Sequence, residues 1–196
     1  MILAFSAVAL LLTLTPGADT ALVLRTAVTA GRRAGILCTL GICLGTMTWA
    51  AASALGVAAL VDASPLAYDL LRYGGAAYLL WLGWQALVGR RDAADQEGLS
   101  RQGFRTGLLT NLLNPKIGVF YATLLPQFVG PADPVLATSL LLAGIHATMG
   151  LVWLSLLSAV ADRAAALLRG DTWRRRLERA TGVALVGFGT KLLLIR

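Results

Sequence analysis

Residues 134–161 read PVLATSLLLAGIHATMGLVWLSLLSAVA and contain no Asp, Glu, Lys or Arg. A run of this length exceeds the roughly 20 apolar residues that an α-helix needs to cross a bilayer. It is the fifth of six apolar runs. In chain order the others are run one at residues 1–18, extending to about 24; run two at 34–61; run three at 73–89, starting near 65; run four at 106–132; and run six at 180–195. The sequence therefore predicts an all-α integral membrane protein with six transmembrane helices.

The composition excludes an ordinary soluble domain. Hydrophobic residues make up 57% of the chain and charged residues 14%, whereas soluble domains have about 25% charged residues. The mean hydropathy is +0.73. A net charge of +7 could suggest a nucleic-acid partner, but the basic residues form short clusters between apolar runs, as expected beside an anionic membrane leaflet. We therefore expect a lipid bilayer as the partner and no nucleic acid.

The basic residues also predict an orientation. Thirteen of the 17 Lys and Arg residues lie in the three connections between runs one and two, three and four, and five and six. Positively charged connections stay in the cytoplasm, so both termini are predicted to lie outside. The first run, residues 1–14, lacks the basic segment that precedes a secretory signal, and we expect it to be an uncleaved membrane helix.

Two apolar runs contain a proline next to a charge. The first has Pro16 and Gly17 before Asp19, and the fourth has Pro115 before Lys116. Proline and glycine weaken a helix, and an ionisable residue at membrane depth usually has a function. Each break lies in the first helix of a three-helix half, residues 1–89 and 106–196, joined by a cytoplasmic loop at 90–105. This pattern predicts a single transporter domain of two inverted repeats with broken first and fourth helices.

Other interpretations of these residues remain open. Pro16 and Pro115 are also compatible with packing kinks, and Asp19 and Lys116 with a structural ion pair. His146, about 18 Å into the fifth run, could relay protons because its unperturbed pKa is near 6.5, or it could be a hydrogen-bonded packing residue. No spacing of His, Cys or Asp predicts a metal site.

Four blocks of sequence carry a family resemblance. Residues 14–19 (LTPGAD), 72–83 (RYGGAAYLLWLG) and 111–116 (NLLNPK, followed by Phe120 and LPQF at 125–128) and the glycines of 182–191 span nearly the whole chain. With these blocks the chain resembles the LysE/RhtB-type amino-acid exporters. Ala18 stands where that family has a second proline, which leaves the geometry around Asp19 open.

The resemblance implies a protein without enzymatic activity or cofactor in the bacterial cytoplasmic (inner) membrane. It implies proton-driven export of amino acids or their derivatives. The residues that it implies for substrate binding or coupling, together with His146, are Pro16, Gly17, Asp19, Asn111, Asn114, Pro115 and Lys116.

Three further functions compete with export of amino acids. A membrane thiol–disulfide carrier needs two cysteines that can approach each other, but Cys38 and Cys43 lie on one predicted helix, about 140° apart. The second and third are a heavy-metal (cadmium-type) exporter and a non-transporting membrane assembly factor. A homo-oligomer is also open, because Gly41-x-x-x-Gly45 suits close packing of helices either within a chain or between chains.

Overall fold

The computed structural model describes residues 1–56, 64–88, 96–167 and 171–194, and every regular element in these ranges is helical. The α-helices are α1 (Ile2–Leu14), α2 (Ala18–Ala54), α3 (Pro65–Val88), α4 (Gln96–Leu112), α5 (Pro115–Val119), α6 (Val135–Leu167) and α7 (Asp171–Leu194). A π-helical turn, Phe120–Leu124, and a 3₁₀ turn, Leu125–Phe128, continue α5. Both predicted breaks are confirmed, because α1 ends before Pro16 and α4 ends before Pro115.

Within the described ranges, α2 and the segment Val135–Ala165 of α6 are long and apolar enough to cross a membrane, and α1 is a shorter apolar helix. α2 is the central element and packs against α4, α6 and α7. α1 packs against α6, and α3 packs against α7.

α2 folds back on itself at Gly31. Gly31 has φ 82° and ψ 171°, a backbone conformation that is essentially restricted to glycine. In a straight helix, residues eight apart lie about 12 Å apart along the axis. A Cβ placed on Gly35 would nevertheless lie 3.1 Å from the Cβ of Ala27. The segments before and after Gly31 are therefore two helices in contact.

This hairpin corrects the predicted connection between runs one and two. The charge pattern assigns Arg25 to that connection, but Arg25 lies in the helix and is only 8% exposed. The turn is confined to the single residue Gly31, because its conformation reverses the chain without further loop residues. The polar stretch 90–105 also differs from a continuous loop, since α4 already begins at Gln96. Residues 89–95 lie outside the described part of the chain.

Glycines let α2 and α4 approach closely. A Cβ on Gly41 would overlap the carbonyl oxygen of Phe104, and a Cβ on Gly107 would overlap that of Cys38. Small residues permit such backbone contact between membrane helices. The Gly41-x-x-x-Gly45 pattern therefore serves packing within the chain, and it holds the end of α4 against the middle of α2.

The exterior is apolar, unlike that of a soluble protein, and several polar side chains are buried among the apolar ones. Large apolar side chains are exposed, for example Leu3 at 86% and Val152 at 65%. Asn111 and Ser158, in contrast, are fully buried. An apolar exterior around polar buried groups is the arrangement that a lipid solvent favours.

Candidate functional site

The two broken helices meet where their backbones are interrupted. Lys116, in the first turn of α5, donates hydrogen bonds from Nζ to the carbonyl oxygens of Leu12 and Thr15, each at 3.1 Å. The last carbonyls of a helix lack partners within the helix and carry a partial negative charge. The ammonium of Lys116 therefore caps the C-terminal end of α1 and ties the second break to the first.

Asp19 occupies the opposite kind of helix end. It lies in the first turn of α2, after the N-cap residue Gly17, where the helix dipole favours a negative charge. Its Oδ2 accepts a hydrogen bond from Nδ2 of Asn111 at 3.0 Å. Its Oδ1 is buried and has no hydrogen-bond partner in the described part of the chain. A buried carboxylate oxygen without a partner is costly, which points to a ligand, a proton or water at this position.

Asn111 is held from several sides. It is fully buried, and its backbone carbonyl oxygen accepts a hydrogen bond from Nε1 of Trp49 at 3.3 Å. Its side chain packs against Gly45, where a Cβ would lie 2.6 Å from Oδ1 of Asn111. The Oδ1 of Asn114 caps α5 by accepting a hydrogen bond from the backbone N–H of Lys116 at 3.1 Å, and the Asn114 side chain also lies beside the Asp19 carboxylate. Asn111 is thus the residue of α4 that positions the Asp19 carboxylate.

A cavity of about 50 Å³ lies between these groups. It has room for a few water molecules, since one water needs roughly 10–15 Å³ by the same measure. The predicted site residues on its wall are Gly17, Asp19, Asn111, Asn114, Lys116 and His146. One carboxylate and one ammonium therefore face the same small space.

His146 forms the wall contributed by α6. It is 6% exposed, and its Nδ1 shares a hydrogen bond of 3.0 Å with the hydroxyl of Tyr121. The Tyr121 ring stacks on the imidazole at 5.9 Å and 18°, and Phe120 contacts it edge-on at 5.6 Å. His146 is thus a hydrogen-bonded, packed histidine that also borders the cavity.

The structure brings together most of the predicted residues but changes two expectations. Pro16 is exposed at the break and Pro115 starts α5, so the prolines shape the backbone and do not line the cavity. Asp19 and Lys116 share the cavity, but their hydrogen bonds in the described ranges go to Asn111 and to backbone carbonyls, not to each other.

Several residues of the site are not predicted by the sequence. Thr13, Cys43 and Thr46 line the cavity, and Tyr121 lies behind His146. Polar side chains within apolar runs are the only available signal, and they do not reveal which face of a helix is turned inward.

The structure also locates the possible metal ligands and the two cysteines. Among the residues that the structure describes, no group of three or more His, Cys, Asp and Glu side chains could hold a metal ion. Cys38 and Cys43 are both free thiols. Sγ of Cys43 lies 3.4 Å from the carbonyl oxygen of Ala147, with hydrogen-bond geometry.

Comparison with known proteins identifies the family. The sequence model of the LysE type translocator family matches residues 10–196. The threonine efflux protein of Escherichia coli (strain K12) is 32% identical over 194 residues, covering 93% of this chain and 92% of that protein. The homoserine/homoserine lactone efflux protein of Salmonella typhimurium is 31% identical over 191 residues, covering 95% of this chain and 92% of that protein.

A third relative, the uncharacterized membrane protein YrhP of Bacillus subtilis, is 28% identical and covers 97% of both chains. No solved structure matches significantly. The chain belongs to the LysE type translocator family, whose members are transporters and not enzymes.

Proposed function

We propose that this protein exports a small neutral amino acid, in exchange for protons, through the cavity between Asp19, Lys116 and His146. The observation that carries the proposal is the buried Oδ1 of Asp19, which has no partner among the described residues and belongs to a side chain on the cavity wall. Amino-acid export itself follows from the family and from the efflux activities in the names of its relatives.

The charges of the site favour a zwitterion. The unpaired oxygen of Asp19 is a suitable acceptor for the ammonium of an amino acid. Lys116 uses two hydrogen bonds on backbone carbonyls and, having three donors, keeps one for a substrate carboxylate. The small cavity favours a small side chain and must widen around it. Threonine and homoserine, the substrates named for two relatives, fit this description.

Helix packing supports a six-span arrangement of two inverted repeats. The hairpin at Gly31 separates run one from run two, so α1 with the first part of α2 makes one broken helix. α4 with α5 makes the other. Contacts between the two halves occur in equivalent pairs. The packing of α1 on α6 corresponds to that of α4 on α2, and α3 packs on its own counterpart α7. A two-fold relation between residues 1–88 and 96–194 produces this set of contacts, and inverted repeats place the binding site at their interface.

Proton coupling is assigned to Asp19. The same carboxylate oxygen can bind either a substrate ammonium or a proton. Because the two compete for it, the release of one is coupled to the binding of the other. Export from the cytoplasm with proton return then requires that the cavity open alternately to each side. The charge distribution supports an inner-membrane protein whose basic connections lie in the cytoplasm and whose termini lie outside.

Efflux measurements test the assignment to Asp19. In inverted membrane vesicles energised by an imposed proton gradient, Asp19→Asn should insert normally and abolish proton-driven threonine transport, while Asp19→Glu should retain part of it. Asp133→Asn is the matched control, because Asp133 is exposed and its carboxylate accepts a hydrogen bond from the backbone N–H of Gly130, away from the cavity. An Asp19→Asn protein with normal rate and normal pH dependence would overturn the coupling role.

A further inference from the structure

The His146–Tyr121 pair is not explained by the binding of an amino acid's charged groups. Asp19 and Lys116 suffice for the ammonium and the carboxylate, and both come from the broken helices. His146 lies on α6, and its partner lies in the π-helical turn after α5. A polar pair with an ionisable histidine at membrane depth is costly and by default indicates a functional site, and π-helical turns are frequent at functional sites.

The pair is held rigidly. Tyr121 is fully buried, and its backbone carbonyl oxygen accepts a hydrogen bond from Oγ of Ser53 at 2.6 Å. Its ring stacks on the imidazole of His146, while Phe120 closes a second side. The imidazole therefore has one orientation, with Nδ1 committed to the Tyr121 hydroxyl.

This arrangement leaves one ring nitrogen for a ligand. The hydrogen bonds of the described residues use Nδ1 of His146 and leave Nε2, and His146 is part of the cavity wall. The Tyr121 hydroxyl can donate to Nδ1 or accept from it. In the first case Nε2 carries the hydrogen and donates, and in the second it accepts. A neutral imidazole whose Nδ1 is hydrogen-bonded to a tyrosine hydroxyl can therefore form a hydrogen bond through Nε2 with a group that both donates and accepts.

We propose that His146, positioned by Tyr121, determines specificity by binding the side-chain hydroxyl of the transported amino acid. The inference rests on the proposed function and refines its substrate class to hydroxylated neutral amino acids. A hydroxyl matches both states of Nε2, whereas a methyl group leaves that nitrogen without a partner. Sites built to bind a hydroxyl discriminate strongly against analogues that lack one, because the buried polar group is then unpaired.

The test compares two substrates that differ in a single group. Purified full-length protein in liposomes is assayed with labelled L-threonine and L-valine, in which a methyl group replaces the hydroxyl. The unsubstituted protein should prefer threonine. Tyr121→Phe keeps the ring and removes the hydroxyl, so the ratio of kcat/KM for threonine to that for valine should fall about tenfold, the effect of one hydrogen bond. His146→Phe keeps an aromatic ring but has no nitrogen to bind a hydroxyl, so it provides a second variant should Tyr121→Phe fold poorly and should lower the same ratio.

The outcomes separate this inference from the proposed function. Tyr73→Phe is the matched control, because it removes a tyrosine hydroxyl from a side chain that is 51% exposed and does not line the cavity, and it should leave the ratio unchanged. An equal fall for both substrates would assign the pair to packing, and a shifted pH profile with an unchanged ratio would assign it to proton movement. Either result would overturn the inference while leaving amino-acid export intact. No transport of either substrate by the unsubstituted protein would overturn both.

Discussion

Gly45→Ala should impair transport by displacing Asn111, although it changes no charged group. A Cβ at position 45 would lie 2.6 Å from Oδ1 and 2.9 Å from the Cβ of Asn111. The second distance involves an atom close to the backbone, so rotation of the amide alone cannot relieve the overlap. Asn111 must move away, and its hydrogen bond to Asp19 is then lost.

The magnitude follows from three contributions. A hydrogen bond to a charged group contributes about 1.5–3 kcal/mol, and overpacking in a filled interior costs about 1–3 kcal/mol. Alanine in place of a helical glycine returns about 1 kcal/mol. The free energy of unfolding should therefore fall by about 1.5–5 kcal/mol. The part due to the Asp19 bond corresponds to a loss of transport of at least about tenfold.

Thermal unfolding in detergent and threonine efflux from liposomes measure the two effects. Gly144→Ala is the matched control, since a Cβ on Gly144 in α6 would meet nothing within 4 Å; it should leave efflux unchanged. Adding Asn111→Ala to Gly45→Ala should recover part of the stability, because it removes the overlapping Oδ1 and Cγ but keeps the Cβ, and it should not recover efflux. Strictly additive losses of stability in this double-mutant cycle, or normal efflux by Gly45→Ala, would refute the mechanism.

Three further predictions concern the helix ends and the topology. Lys116→Met should remove the hydrogen bonds that cap the C-terminal end of α1 and lower the free energy of unfolding by about 1.5–3 kcal/mol for each charged hydrogen bond lost. Thermal unfolding measures this effect, and an unchanged melting temperature would contradict the capping role. Gly31→Ala should cost about 1–3 kcal/mol in the same assay, because the hairpin needs a conformation that alanine rarely adopts, and a neutral effect would argue against it. In a background without native cysteines, a membrane-impermeant thiol reagent added outside should label Asp133→Cys and not Gln96→Cys; the reverse pattern would invert the orientation.

The sequence by itself determined the class of the protein and the location of its unusual segments. Hydropathy and helix breaking are properties of neighbouring residues, so apolar runs, Pro16-Gly17 and Asn114-Pro115 could be read directly. Asp19 and Lys116 could be predicted as functional residues because each is a charged residue within an apolar run, which is also visible from neighbouring residues alone. The motifs around them also carried the family resemblance, which the comparison with known proteins confirms.

Only the tertiary structure decided which groups meet. The sequence suggested an ion pair between Asp19 and Lys116, but Asp19 bonds Asn111, 92 residues away, and Lys116 bonds the end of α1, over 100 residues away. Such partners depend on which helices cross closely. The Gly41-x-x-x-Gly45 spacing indicates a close approach, but it does not identify α4 as the partner helix. The rotation of each helix about its axis then selects the side chains that face the cavity, and that rotation is decided by packing among all the helices together.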